Sequence, residues 1–465
     1  MPDQALEYAR ANRPRFLEEL KALLRIPSVS TDPAHAPDVR RAAQSLAAEL
    51  ERIGMENVRL IETSTPTRNG HPLVYADWLH APDAPTALLY GHYDVQPPDP
   101  LDEWLSPPFE PTERDGNLYA RGAVDDKGQM YMHLKALESL LAAEGRLPLN
   151  VRVILEGEEE VGGEGIAAFV ASHPPELQAD FALVSDTEMF APGLPTLCVG
   201  LRGMIYTEIE VRSARTDLHS GYGGAAPNAF NALTHILAGI KDASGRILIP
   251  GIQDAIQPPA QAERISWQSL PFDEEEFRET VLGSQSIVGD ARFSVLERLW
   301  AQPTFDIHGI SGGFTGVGAK TVIPAKATAK ASMRLVPNMT AADTLRQLTD
   351  FLHQLCPPGV SVEVRLIHSA EPSLIPVDNS WIRAAASAMT EVWGRETVFV
   401  RTGGSIPIVG DLQRHLNLPC VMMGFGLADD NLHAPNEKFC LRNFHLGIES
   451  ILRFLESAST LAPTA

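Results

Sequence analysis

Short runs that are apolar throughout alternate with stretches of helical spacing, and this order constrains the fold more than any other feature of the chain. PLVYADWL, TALLYGHY, LNVRVILEG and DFALVSD read as strands, and KGQMYMHLKALESLLAAEG and GEGIAAFVASH as helices. A strand wet on one face alternates apolar and polar residues; a continuously apolar one is buried on both faces. The βαβα order therefore predicts an α/β fold, a mostly parallel sheet with helices on both faces. Ahead of it, helical spacing covers about Leu6–Leu24, ended by Pro27, and about Val39–Ile53, capped by Gly54.

The pattern changes near Gly203. MIYTEIEVRS and AKATAKASMRLV alternate, as strands with one wet face do. A helix is predicted over about Asn228–Ile240, and the Pro- and acid-rich stretch from about Asp242 to Pro303 reads as irregular. AADTLRQLTDFLHQL reads as a helix and VSVEVRLI as a strand. From about Pro372 the earlier style returns, with WIRAAASAMTEVWG and LPCVMMGFG. An α/β domain, 1–202 and 372–465, is thus expected to be interrupted by an α+β domain, 203–371. The final ASTLAPTA reads as a frayed tail.

Composition excludes some partners. With 38 basic against 59 acidic residues in 465, the net charge is −21, which argues against nucleic acid, since phosphate binding needs clustered Lys and Arg. Cys198, Cys356, Cys420 and Cys440 form no C-x-x-C pair, which argues against a thiolate zinc site and a disulfide scaffold. No stretch approaches the ~18 apolar residues of a membrane span, and the N-terminus lacks the apolar run of a signal peptide. The expectation is a cytoplasmic protein with no membrane partner.

In an open α/β sheet, ligands bind beyond the carboxyl ends of the strands. His92 and Asp94 follow TALLYG; Glu158, Glu159 and Glu160 follow VRVILEG; Asp186 follows FALVS. Asp429, Asp430 and His433 follow VMMGFG, and Asp125 and Asp126 of RGAVDDKG immediately precede a helix. Singly, each has a plain structural reading: a surface His, a solvated strand end, a helix cap or a turn. Jointly they crowd unpaired carboxylates at one edge, and a divalent cation relieves that repulsion. Nitrogen and oxygen donors without thiolate suit zinc, with manganese or cobalt as alternatives. Two ions sharing a carboxylate would use about five protein ligands and leave one carboxylate as a base, an arrangement suited to amide hydrolysis.

GHYDV, LYARGAVDDKG, LEGEEEVGGEG, VSDTE, DLHSG, GAKTVIPAKATAKASMRLVPNMT, GGSIP and H-x-PNE occur in this order. With them the chain resembles the co-catalytic di-zinc metallopeptidases, a family that includes carnosinases, cytosolic nonspecific dipeptidases, succinyl-diaminopimelate desuccinylase and aminoacylase. DLHSG and KTVIPAKA followed by RLVPNMT are most similar to the carnosinase and nonspecific dipeptidase branch. The resemblance implies that His92 and Asp186 hold one zinc, Glu160 and His433 the other, and that Asp125 bridges both. It implies a cis bond between Asp125 and Asp126, Asp94 holding the far nitrogen of His92, and Glu159 as general base. His219 would reach the active site of a partner subunit and stabilise the oxyanion, making the inserted domain a dimerisation lid. Arg334 would pair with the substrate's terminal carboxylate, Thr321 and Ser405 would add hydrogen bonds, and Gly403 and Gly404 would let backbone approach the substrate. The chain departs from the pattern at Thr402, where many relatives carry Glu; that position bears on the substrate's amine end.

The resulting expectation is a homodimeric dipeptidase with two divalent ions per subunit, cleaving through a zinc-bound hydroxide. The rival readings are a same-fold amidohydrolase that deacylates N-acyl amino acids and a non-catalytic metal-dependent binding protein.

Overall fold

Helical spacing continues from Leu6 to Leu24, but Pro14 has no N–H for the carbonyl of Arg10 and its ring crowds that carbonyl. In the computed structural model, which describes residues 2–66 and 68–462, the segment is accordingly two helices, α1 (Pro2–Ala11) and α2 (Arg13–Leu24), parted at Asn12. Pro14 takes the first turn of α2, where a missing N–H costs nothing. Helix α3 (Ala36–Ile53) closes on Gly54 at φ 96°, a left-handed conformation that glycine adopts without strain.

The chain forms two compact units. Met1–Val199, Ile375–Val400 and Asp411–Ala465 make one, and Gly200–Leu374 with Arg401–Gly410 the other. The segment Arg401–Gly410, expected in the outer domain, groups with the second unit for local reasons. The Arg202 N–H donates to Gly404 O at 3.0 Å, and Arg401 pairs with Glu263 at 2.7 Å.

In chain order the first unit continues with β1 (Glu56–Ile61), β2 (Leu73–Trp78), β3 (Thr86–His92), α4 (Lys127–Glu144), β4 (Asn150–Glu156), α5 (Glu164–Ser172), β5 (Phe181–Val184) and β6 (Thr196–Leu201). The second unit holds β7 (Gly203–Arg212), α6 (Ala229–Ala238), α7 (Gln261–Gln268), α8 (Val295–Ala301), β8 (Thr304–Gly312), β9 (Lys326–Leu335), α9 (Ala341–Leu355) and β10 (Ser361–Ala370). The first unit resumes with α10 (Ser380–Trp393), β11 (Cys420–Gly424) and α11 (Leu441–Ala458). Of the tail expected to fray, Ala458 still belongs to α11, and residues 463–465 lie outside the described residues.

The first unit's sheet runs β1-β2-β4-β3-β5-β11-β6. Its centre is parallel, β4 to β3 to β5 to β11; β1–β2, β2–β4 and β11–β6 are antiparallel. β2, β5, β6 and β11 are buried along their whole length, as continuous apolar runs require. Helix α4 is buried from Lys127 to Leu140 and packs against α1, α2, α3 and α11. Of its two buried lysines, Lys127 donates to the Ile26 carbonyl at 2.7 Å, and Lys135 is held by Glu19 at 2.5 Å and Glu138 at 2.9 Å, with Glu49 as a third partner. A buried charge persists when it is paired in this way.

The second unit is an antiparallel sheet, β8-β9-β7-β10. β7 alternates buried and half-buried residues over its length. Its inner face, with Ile205, Ile209 and Val211, joins Ala329 and Met333 of β9 in a core with Leu233 and Ile236 of α6 and Leu348 of α9. The stretch expected to be irregular contains the short helices α7 and α8. Ser294 and Glu297 cap α8 reciprocally, and Trp267 and Trp300 meet edge to face at 5.1 Å, which holds the two helices together. Among the described residues no helix is long and apolar enough to cross a membrane.

Candidate metal centre

β3 delivers His92, fully buried, at its carboxyl end. His92 Nδ1 lies 3.1 Å from the backbone carbonyl oxygen of Asp94 and 3.4 Å from its Oδ1. The nearer acceptor is thus the carbonyl rather than the carboxylate. A hydrogen on Nδ1 leaves the Nε2 lone pair available to a cation. The Asp94 carboxylate has further work: Oδ1 accepts the Glu159 N–H at 3.3 Å, and Oδ2 accepts the Glu160 N–H at 3.1 Å and the Ser30 hydroxyl at 2.6 Å. It fixes the turn after β4 that carries two adjacent carboxylates.

Asp125 precedes α4, and the bond to Asp126 is cis. Its Oδ1 lies 3.0 Å from His92 Nε2 and its Oδ2 2.9 Å from His433 Nε2. His433 Nε2 also lies 3.4 Å from Glu160 Oε2. The donor atoms fall into two groups, His92, Asp125 and Asp186, and Asp125, Glu160 and His433, each within 4.8 Å. Asp125 belongs to both. Glu159 belongs to neither, although its neighbour does. A third acidic group, Glu19, Glu49 and Glu138, already encloses the Lys135 ammonium.

The charges confirm how crowded the centre is. Burial, then neighbouring charge, pushes Glu159 up to about 7 and Glu160 up to about 8. Asp186 is raised by burial and by Asp126. Burial also pushes Asp125 up, but the hydrogen bonds of His433 and His92 outweigh it and hold its carboxyl below the usual range. The hydrogen bond to Asp125 raises His433 to about 9. Burial is the largest cause that raises Glu159, Glu160 and Asp186, and hard or borderline oxygen and nitrogen donors around a shared carboxylate fit divalent cations.

Glu160 near 8 and His433 near 9 hold protons at pH 7 in the metal-free protein, and both must lose them to coordinate. Metal loading at pH 7 is expected to release protons, and apparent affinity to rise as pH climbs toward 9. Titration with zinc in weakly buffered solution, following pH, reads this directly; loading without proton release would overturn it.

The H-x-PNE motif alone does not give Glu437 a role. The structure does. Glu437 is fully buried; Oε2 accepts the Arg121 guanidinium at 2.7 Å and the Gly122 N–H at 2.8 Å. Oε1 accepts the Val124 and Asp125 N–H groups at 3.0 and 3.2 Å. It clamps the loop that presents Asp125. Gln96 was also missed; its Nε2 donates to Glu160 Oε2 at 2.7 Å. The other acids of these segments are structural: Glu158 pairs with Arg68 at 2.5 Å, and Asp429 and Asp430 with Lys438 at 3.0 and 2.9 Å. Asp126 Oδ2 accepts the His92 N–H at 3.2 Å.

The remaining predicted residues lie in the second unit. His219 is exposed, and its Nδ1 accepts the Gly221 N–H at 3.0 Å. It pairs with Val322 in a short ladder that brings Thr321 beside it, with Thr321 O accepting the Ser220 N–H. Arg334, half-buried on β9, donates from Nη1 to Ser405 Oγ at 3.2 Å. The Gly404 N–H donates to Thr402 Oγ1 at 3.3 Å.

Known proteins resemble this chain over nearly its whole length. The sequence model described as "Peptidase family M20/M25/M40" matches residues 88–457. The Cys-Gly metallodipeptidase DUG1 of Candida albicans is 34% identical over 459 residues, 95% of this chain and 94% of that protein. The crystal structure of human carnosine dipeptidase 1 superposes with a TM-score of 0.83 at 30% identity, covering 99% of each chain. The M20 family metallo-carboxypeptidase Sso-CP2 of Sulfolobus solfataricus gives 0.85 at 30% identity, covering 96% of this chain and 99% of that one.

Proposed function

This chain belongs to peptidase family M20/M25/M40, and on that premise we propose that it is a metal-dependent dipeptidase, a hydrolase of the peptide bond of dipeptides. The observation that carries the reading is Asp125 shared between two groups of donor atoms, with Glu159 beside them and outside both. His92, Asp125 and Asp186 would hold one ion and Asp125, Glu160 and His433 a second, zinc by donor type. Such ions, when bound, act as Lewis acids that polarise the scissile carbonyl and acidify the attacking water.

Glu159 takes the proton of the attacking water and passes it to the leaving amine. A base works best with an affinity for protons near the working pH, and burial raises that of Glu159 above the ordinary carboxylate range. Asp94 acts as a positioning residue, through His92 and through the two amides of the Glu159–Glu160 turn. His219 of a second copy would donate to the oxyanion. Its Nδ1 accepts from Gly221, so the neutral ring carries its hydrogen on Nε2 and presents a donor outward. On this reading the protein is a homodimer built through the second unit. Arg334 would grip the substrate's terminal carboxylate, with Ser405, Thr321 and the Gly404 backbone adding hydrogen bonds. A cytoplasmic site of action agrees with four cysteines that form no disulfide among the described residues.

The test is hydrolysis of a dipeptide panel and of N-acetyl amino acids by zinc- or manganese-loaded protein. Cleavage of dipeptides in clear preference to N-acetyl amino acids is the expected result. The reverse preference would replace the dipeptidase reading with a deacylase, and turnover of neither would leave a binding protein.

A further inference from the structure

One cation of the second unit has no part in the reading above. Arg202, just before β7, is only 8% exposed. It fastens the 403–404 turn twice, donating its backbone N–H to Gly404 O and its Nε to Gly403 O, both at 3.0 Å. Its Nη1 is buried and has no hydrogen-bond partner among the described residues. An unpaired buried guanidinium N–H is costly, and native proteins leave few of them.

The neighbourhood adds to the imbalance. Burial and then the like charge of Arg334 lower the proton affinity of Arg202 to about 10, and only Asp306 offsets them. Arg334 is itself lowered by burial, again with Asp306 as the one opposing charge. Thr304 faces Arg334 across the β8–β9 ladder, and its Oγ1 is likewise buried without a partner. Two guanidinium groups therefore flank the 403–405 turn, Arg334 bonded to Ser405 Oγ and Arg202 with its buried Nη1 unclaimed.

We propose that Arg202 is a specificity-determining residue, which with Arg334 forms a two-guanidinium seat for a substrate whose C-terminal residue carries a second carboxylate, as Asp or Glu does. This rests on the dipeptidase reading, in which Arg334 meets the terminal carboxylate. One carboxylate neutralises one guanidinium; the side-chain acid of a C-terminal Asp or Glu supplies the second anion. Guanidinium binds carboxylate through parallel N–H donors, a geometry that the point charge of Lys does not match.

The experiment compares Ala-Ala with Ala-Glu on the metal-loaded enzyme, for wild type, Arg202→Met and Arg202→Lys, and measures glutarate binding to the same proteins by calorimetry. Arg202→Met is expected to raise KM for Ala-Glu about 10- to 100-fold, the range of one charge-assisted hydrogen bond, and far more than for Ala-Ala. Arg202→Lys is expected to fall between, and glutarate binding to weaken in the same order. An equal loss on both substrates would overturn the seat and leave Arg202 as a brace of the 403–404 turn; unchanged kinetics would also overturn it. If wild type cleaves no dipeptide, the dipeptidase reading fails by itself. Glutarate binding then decides the seat alone, sustained by a loss in Arg202→Met and refuted by none.

Discussion

Glu159→Gln is expected to lower kcat for dipeptide hydrolysis about 10²- to 10⁴-fold, the range a positioned general base contributes, while metal content and thermal unfolding stay at wild-type values. The amide is nearly isosteric, and the backbone N–H that Asp94 holds at 3.3 Å is untouched. What is lost is a proton acceptor beside the scissile bond. Because the change removes an interaction of the transition state, kcat and kcat/KM should fall together, with KM little altered. Steady-state kinetics together with metal analysis of the same sample separate the outcomes. Activity within a few-fold of wild type would place the base elsewhere. Loss of an ion would make Glu159 a ligand.

Glu437→Ala is expected to have the largest effect on stability, although the residue touches no substrate. Its carboxylate accepts from the Arg121 guanidinium and from the amides of Gly122, Val124 and Asp125, all within 3.2 Å. Removing one partner of a buried ion pair costs about 3–5 kcal/mol, because the other charge stays buried alone. Arg121 is 1% exposed and would be that charge. The freed loop also carries Asp125, so zinc affinity should drop with stability. Calorimetric unfolding with and without metal, plus a zinc titration, reads both. Glu437→Gln keeps an acceptor and the volume and should lie between. An alanine variant that unfolds and binds zinc like wild type would show that the loop holds itself.

These two residues mark what could be read in the sequence. Glu159, His92, Asp186 and His433 were legible because each follows a recognisable apolar run, and an α/β sheet puts such positions at one edge. Glu437 stands in a quoted motif, yet its role lies in amides more than 300 residues earlier, a separation of 312 from Asp125, and no local pattern encodes that. Ser30 holds Asp94 across 64 residues in the same way. The break at Asn12 was legible, since Pro14 forbids a through-going helix; apolar spacing alone hid it. The helices α7 and α8 were missed because they are short and secured by a cap and a tryptophan pair rather than by a long apolar stripe. The assignment of Arg401–Gly410 to the second unit turns on Arg202 and Glu263, again contacts between distant positions.

The Glu437 clamp also sets when the protein becomes competent during synthesis. His433 and Glu437 follow Asp125, which one meets and the other fastens, by 308 and 312 residues. A ribosome-bound chain that has exposed His92, Asp125, Glu160 and Asp186 still lacks one donor and the brace behind the shared one. On the proposed reading hydrolytic competence waits until both have been translated, and a proteolytic cut just before His433 is expected to silence the site while leaving most of its donors in place.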